Sequence, residues 1–453
     1  MPVNTTHPEY DKYSEQWRVT RDAATGFPAI KLRDEYLPVP FQKTEPDRFA
    51  EYKARAYFLG TTGRTERAMI GMVFRKPYTK EIPQGMEFLL ENFDGAGNSV
   101  EQVAKDCLSG LLETRRHLLL VDYPDVPVNL SREEQEAFNV RPFVTTYVAE
   151  ALINWRFDVV GGVKKLAMAV LKEIKNVSSD EFGHDYKERF RVLRLDEGRY
   201  CVQVYDDKQQ PITELLFPQA GGKYLDHIPL HGVRELETPP LYDIACVNIA
   251  HYRNVADLED AAFVVGQPML SVDIGETDAA TWKEQNPNGI SFGSRRGTVT
   301  KKGKLELVQA QENNLCRTIK QDKEAEMVML GAQLIQRGGQ AETAEAARLN
   351  AAAEASVLDT LVNDLSEDIE AALEDCARFL GIDQAGVQFT LNTDYWETGL
   401  SPQAFMAVVQ GYQANLYAQA DAIEMIRTGK IGISAERTTD DVMTDTADLL
   451  TVV

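Results

Sequence analysis

The sequence predicts an α+β protein of several domains, and three observations carry that expectation. Apolar residues recur every three and four positions over 100–112, 241–262 and 358–379, the period of a helix with one buried face. Between the first two stretches the period drops to two, at Tyr200, Val202 and Val204, which marks strands. The chain has 453 residues, room for two to four domains at roughly 100–200 residues each.

The elements follow in order. Residues 1–50 mix prolines with polar side chains and are expected as an extended arm. Residues 48–76 read as two short helices around Gly60 and Gly63; Tyr52, Ala56 and Leu59 give the first an apolar side, and Ala68, Met69, Met72 and Val73 give one to the second. A turn at 94–98 leads to Ser99 and Gln102, spaced as a capping box. The helix from Val100 ends near Arg115, Arg116 and His117, cations that suit a helix C-terminus. Residues 118–121 read as a strand, stopped by Pro124 and Pro127. Residues 163–174 are a helical candidate. Phe190, Val192 and the 200–204 alternation favour strands, with turns at 196–198 and 206–211.

Pro239-Pro240 opens the next helix, whose shared side carries Leu241, Ile244, Ala245, Asn248, Tyr252, Val255, Leu258 and Ala262. Residues 268–312 are strand-like and turn-rich, with a turn at 286–289. A helix spans 316–335, and Gly338-Gly339 interrupts it. From Val357 to Phe379 runs the best-defined helix, with Asp359, Asp364, Glu367, Asp368, Glu370, Glu374 and Asp375 off its apolar side. Residues 402–427 give a last helix or pair, and 436–453 form an acidic tail.

Charge bounds the function. Forty-eight Lys and Arg against 70 Asp and Glu leave −22, a mean field that repels phosphates, so bulk coating of nucleic acid is excluded. Apolar runs such as 118–121 and 261–265 fall far short of the roughly 20 residues of a membrane-spanning helix. The polar, acidic N-terminus does not read as a signal peptide. The five cysteines have long, irregular spacings, so neither a zinc site nor a disulfide framework is expected. Cys107 and Cys376 fall on apolar helix faces as small hydrophobes. His227 and His231 are spaced like helical metal ligands, but Pro229 breaks that helix, and no metal or cofactor is expected.

No catalytic motif emerges. The nearest approach to a phosphate loop, 297–304, has one residue too many, and Leu305 stands where Ser or Thr would hold magnesium. The acidic row at 359–375 reads as a solvated helix face or as a channel lining that keeps DNA from sticking. Arg295, Arg296, Lys301, Lys302 and Lys304 lie within ten residues free of acids. They read as an exposed hairpin, or as a local phosphate or subunit contact. An enzyme is not expected.

The order of elements resembles the portal (head–tail connector) protein of tailed bacteriophages. The stretches that carry the resemblance are YKARAYFLGTTGRTERAMIGMVFRKP at 52–77, NFDGAGNSVEQVAKDCLSGLLETRRHLLLVDYP at 92–124, ERFRVLRLDEGRYCVQVYDD at 188–207, PPLYDIACVNIAHYRNVADLEDAAFVVGQPML at 239–270 and AETAEAARLNAAAEASVLDTLVNDLSEDIEAALEDCARFLG at 341–381. They resemble a subgroup usually catalogued as a domain of unknown function, over roughly residues 50–400.

The resemblance implies an α/β wing, a two-helix stem, a β-rich clip insertion and a helical crown. Residues 1–98 and 263–335 would form the wing, 99–117 and 240–262 the stem, and 118–239 the clip. Residues 336–350 would be the tunnel loop, 351–382 the long helix, and 383–453 the crown and tail. Arg337, Gln340 and Arg348, with Asp359, Asp364 and Glu367, become DNA-channel candidates, although Gly338-Gly339 serves equally as an ordinary helix terminus. The implied assembly is a homo-oligomeric ring, usually a dodecamer, at one capsid vertex of the virion, built in the host cytoplasm. Double-stranded DNA passes through it in packaging and ejection. Its partners are the terminase large subunit, then a head–tail adaptor, and the major capsid or scaffold protein, with no membrane. The alternatives are another head-completion or adaptor protein, or a metal-dependent nuclease or hydrolase. The last requires acids converging from separate segments.

Overall fold

The computed structural model describes residues 2–39, 46–122, 141–178, 180–220, 222–265, 269–272, 279–285, 287, 305–308, 314–334 and 356–395. The chain divides into two units, Met1–Leu391 and Asn392–Val453. Of the second, residues 392–395 are described. There Asp394 N donates to Asn392 Oδ1 (3.0 Å) in a short turn. All other elements belong to the first unit.

Helices α1 (Pro8–Thr25), α2 (Phe27–Leu32), α3 (Pro46–Arg55) and α4 (Thr61–Val73) come first, then strand β1 (Thr79–Glu81) and helices α5 (Phe88–Glu91) and α6 (Val100–Thr114). Strands β2 (His117–Asp122), β3 (Phe143–Val148), β4 (Leu152–Val160), β5 (Val163–Asn176), β6 (Tyr186–Asp196), β7 (Arg199–Tyr205), β8 (Gln219–Ala220), β9 (Lys223–Tyr224) and β10 (Leu230–His231) follow. Then come α7 (Tyr242–Val265), β11 (Met269–Val272), α8 (Ala279–Gln285), β12 (Leu305–Val308), α9 (Leu315–Gln333), α10 (Val357–Leu380) and β13 (Gln388–Thr390). The fold is α+β. Antiparallel β4-β5-β6-β7 form one sheet and β10-β2-β3 another, while β1-β13, β8-β9 and β11-β12 are two-stranded.

Three expectations are corrected. Residues 8–25 are helical, not an extended arm. Pro8 takes the first helical position, where a missing N–H costs nothing, and His7 Nδ1 accepts from Glu9 N (3.2 Å). Trp17, Thr20, Ala23 and Ala24 are its buried face. The helix break in 48–76 falls at 56–60, and Gly63 lies inside α4. There a Cβ would stand 2.2 Å from Ala24 O, so glycine permits the close α1–α4 approach. Residues 163–174 are a strand, not a helix. Their apolar spacing fits either form, but Gly161 (φ 62°) and Gly162 (φ 84°) make a two-residue hairpin turn that pairs Val160 with Val163.

Elsewhere the sequence pattern holds. Ser99 caps α6, whose stripe Val100, Val103, Ala104, Cys107, Leu108, Leu111 and Leu112 is buried. Arg115 ends the helix in the left-handed conformation (φ 60°). Glu197 and Gly198 turn β6 into β7. One helical core joins α1, α2, α3 and α7 through Ala23, Ile30, Tyr52, Ala56, Ala245, Ile249 and Tyr252. Each large apolar side chain so buried contributes roughly 1.5–3 kcal/mol.

Helix α7 starts at Tyr242, and its predicted face is buried through Val255 and Ala256. Leu258 is half-buried and Ala262 is exposed. From its end the chain enters β11, which pairs with β12 from Met269↔Val308 to Val272↔Leu305, and β12 leads into α9. Helix α9 returns onto α7: Lys323 Nζ donates to Ala250 O (3.2 Å) and to Asn254, and His251 Nε2 lies 3.2 Å from Glu324 Oε1. The predicted turn at 286–289 falls largely, and the Gly338-Gly339 break, the 402–427 helix and the 436–453 tail wholly, outside the described residues.

Candidate functional site

Helix α10 is built by its own sequence. Ser356 Oγ accepts from Asp359 N (3.0 Å) and Asp359 Oδ2 accepts from Ser356 N (3.1 Å), a reciprocal capping box. Gly381 (φ 69°) closes the other end. Leu358, Leu361, Val362, Leu365, Ile369, Ala372, Leu373 and Cys376 are buried.

The acidic side is not the solvated face expected from composition. Residues 226–237 lie along it as a strap running opposite to the helix. His227 Nε2 lies 2.9 Å from Asp375 Oδ1, and His231 Nε2 lies 3.0 Å from Asp375 Oδ2. Three residues on, Arg234 donates to Asp368 and, through Nη2, to Asp364 O (3.0 Å). Arg115, at the end of α6, donates from Nη1 to Asp364 Oδ2 (2.9 Å) and from Nε to Glu237 Oε2 (3.1 Å).

The strap is itself pinned. Its strand β10 pairs with β2, Leu230 against Leu120 and His231 against Leu119, and Val121 N donates to Pro229 O (3.0 Å). Gly232 (φ 87°) is required where a Cβ would stand 2.1 Å from His117 O. Arg116, fully buried over the Trp155 ring at 4.1 Å, donates from Nη2 to Arg234 O (2.9 Å). Burial pulls its guanidinium down to about 10, so it stays charged at neutral pH.

The electrostatics follow from this packing. Burial works against the Asp375 carboxylate, but hydrogen bonds from His227 and His231 overcome it and hold the group well below the usual carboxylate range. An ionised carboxylate has no proton to give, so both imidazoles donate to it. Burial also works against charge on His227, yet Asp375 and Asp226 raise its affinity for a proton. Burial pushes the Asp368 carboxyl up, and Arg234 offsets that only in part. Among the described residues no group of three or more His, Cys, Asp or Glu side chains is arranged to hold a metal.

The predicted site residues divide sharply. Asp359 is buried in the helix cap and Asp364 is engaged by two arginines, while Glu367 is exposed. Asp368 and Asp375, also read as part of the open face, are buried in ion pairs. Arg337, Gln340 and Arg348 lie outside the described residues, as do Arg295, Arg296, Lys301, Lys302 and Lys304. The sequence reading missed Arg115, His227, His231 and Arg234 as partners of the acidic row. The spacing of the two histidines was the available signal, and it points to a shared carboxylate.

A family model described as a domain of unknown function (DUF4055) matches residues 240–380. That span holds α7, α9 and α10. No curated protein matches the sequence. Among solved structures the chain is similar to one in the neck of an empty gene transfer agent particle, at 13% identity over 81% of this chain and 89% of that one, with a TM-score of 0.41. It is also similar to one in the virion of a native gene transfer agent particle, at 12% identity over 83% and 92%, TM-score 0.41. A third lies in the neck of the native particle, at 13% identity over 85% and 94%, TM-score 0.41.

Proposed function

We propose that this chain is the subunit of a portal-like ring of a tailed phage or phage-like particle, with DNA passing through the ring. The observation that carries the reading is the unit from α7 to α9. Two helices pack on each other and flank an insertion that begins and ends in the antiparallel ribbon β11-β12. This is the helix–insertion–helix arrangement that the sequence resemblance implies. It keeps α7, the expected stem helix 240–262, and favours α9 as its partner in place of 99–117, with the residues between α7 and α9 as the clip in place of 118–239. Helix α6 packs instead on α1, α4, α10 and β2, as part of the body.

On this reading the stretch 336–350, which follows α9 in the sequence, is the tunnel-loop candidate. Arg337, Gln340 and Arg348 fall in that stretch. Of the acidic candidates, Glu367 is the one free to meet DNA by repulsion. A net charge of −22 lets DNA slide without tight phosphate contacts. The ring sits at one vertex of the capsid. The terminase large subunit docks on the clip during packaging, an adaptor follows, and the capsid or scaffold protein surrounds it. The role is structural, not enzymatic.

Native mass spectrometry and electron microscopy of one purified sample test this. The expected result is a closed ring of about twelve subunits with an open centre. A chain that stays monomeric or dimeric, also when co-expressed with its capsid protein, would overturn the reading.

A further inference from the structure

We propose that His227, His231 and Asp375 form a proton-operated latch that fastens the C-terminal half of α10 to the strap, tight in mildly acidic solution and looser as His227 loses its proton.

The geometry sets it up. One buried carboxylate, 3% exposed, receives a different imidazole on each oxygen. With His227 protonated, its contact joins a cation to the ionised carboxylate, with charge on both sides of the hydrogen bond. With His227 neutral, its hydrogen bond to the ionised carboxylate remains and the cationic charge is gone, so the latch weakens without opening outright. The surrounding charges decide where this happens. Asp226, on the strap, sits 3.1 Å from His227 Nδ1, and Lys165 of β5 reaches Asp226 at 3.4 Å. From α10, Arg378 lies 3.3 Å from the His227 ring nitrogens and 3.5 Å from Asp375, while Asp368 faces His231. Gln384 steadies Arg378 by accepting from its Nη2 (3.1 Å). Arg378 therefore opposes protonation of His227, and the two aspartates favour it.

The latch is polarised along the helix. The N-terminal half of α10 is held by the guanidinium groups of Arg115 and Arg234. The half around Asp375 is held by imidazoles instead. The signs agree. His227 binds its proton more firmly in the folded chain, so its contribution is full below the unfolded value of about 6.5 and is lost as pH rises through the folded one. Asp375 loses its proton more readily when folded, so its contribution is full above about 3.9 and is lost at lower pH. The latch is tightest between roughly pH 4 and pH 6.5.

Hydrogen–deuterium exchange on the full chain from pH 5.5 to 8, corrected for intrinsic exchange, tests this. Protection over 369–380 is expected to fall several-fold with rising pH while 358–366 changes little. In Asp375→Asn and His227→Gln that pH response is expected to flatten. An equal response in both halves, or an unchanged response in both variants, overturns the latch. Should the variants fail to fold, the His227 ring resonance of the wild-type chain decides. It must titrate above its value in the denatured chain, and titration at or below that value overturns the proposal.

Discussion

One methyl group is more than the α1–α4 contact can hold. At Gly63 the added carbon would meet backbone, not a side chain that turns aside, so the helices must separate. Gly63→Ala is expected to lower stability by about 1–3 kcal/mol, the usual cost of overpacking, despite alanine's better helix propensity. Urea unfolding would register it as a lower midpoint at unchanged slope. Leu59→Ala, just before α4, provides a comparison at a residue that is not buried. The same close-approach logic explains Gly232 beside the His117 carbonyl.

Elements whose ends and faces are both written locally were legible, and those decided by partners were not. Helix α10 shows the first case. Ser356→Ala removes the hydroxyl half of its capping box and is expected to cost about 1 kcal/mol, read from the same unfolding curves. Helix α6 was readable for like reasons, from Ser99 and its stripe. Helix α1 was missed because prolines at 2 and 8 read as extended chain, although Pro8 stands where a helix accepts proline. Strand β5 was missed because its apolar spacing satisfies both periods, and only Gly161-Gly162 settles it. At the candidate site the acidic row was legible as a row. Its partners were not, since Arg115, His227, His231 and Arg234 come from 130 or more residues away along the chain. No local pattern announces a contact that only tertiary packing creates.

At the scale of the molecule, negative charge is abundant but not evenly spent. Arg21 bridges Glu113 and Glu150, Arg191 bridges Glu173 and Asp122, and the strap neutralises the buried acids of α10. The remaining excess carries the net charge of −22, whose mean field repels polyanions. Short-range protection comes from the first residues. His7 N donates to Ile153 O (2.8 Å), Asn154 Nδ2 donates to Thr5 O (2.9 Å), and the His7 ring stacks on Trp155 at 4.0 Å. These contacts cover the start of β4, an edge strand of the four-stranded sheet. Deleting residues 2–7 is expected to give light scattering that grows with protein concentration, while the intact chain stays constant. Residues 2–7 thus act as a selvedge on the sheet, and an affinity tag fused close to them would fray the weave it was meant to leave untouched.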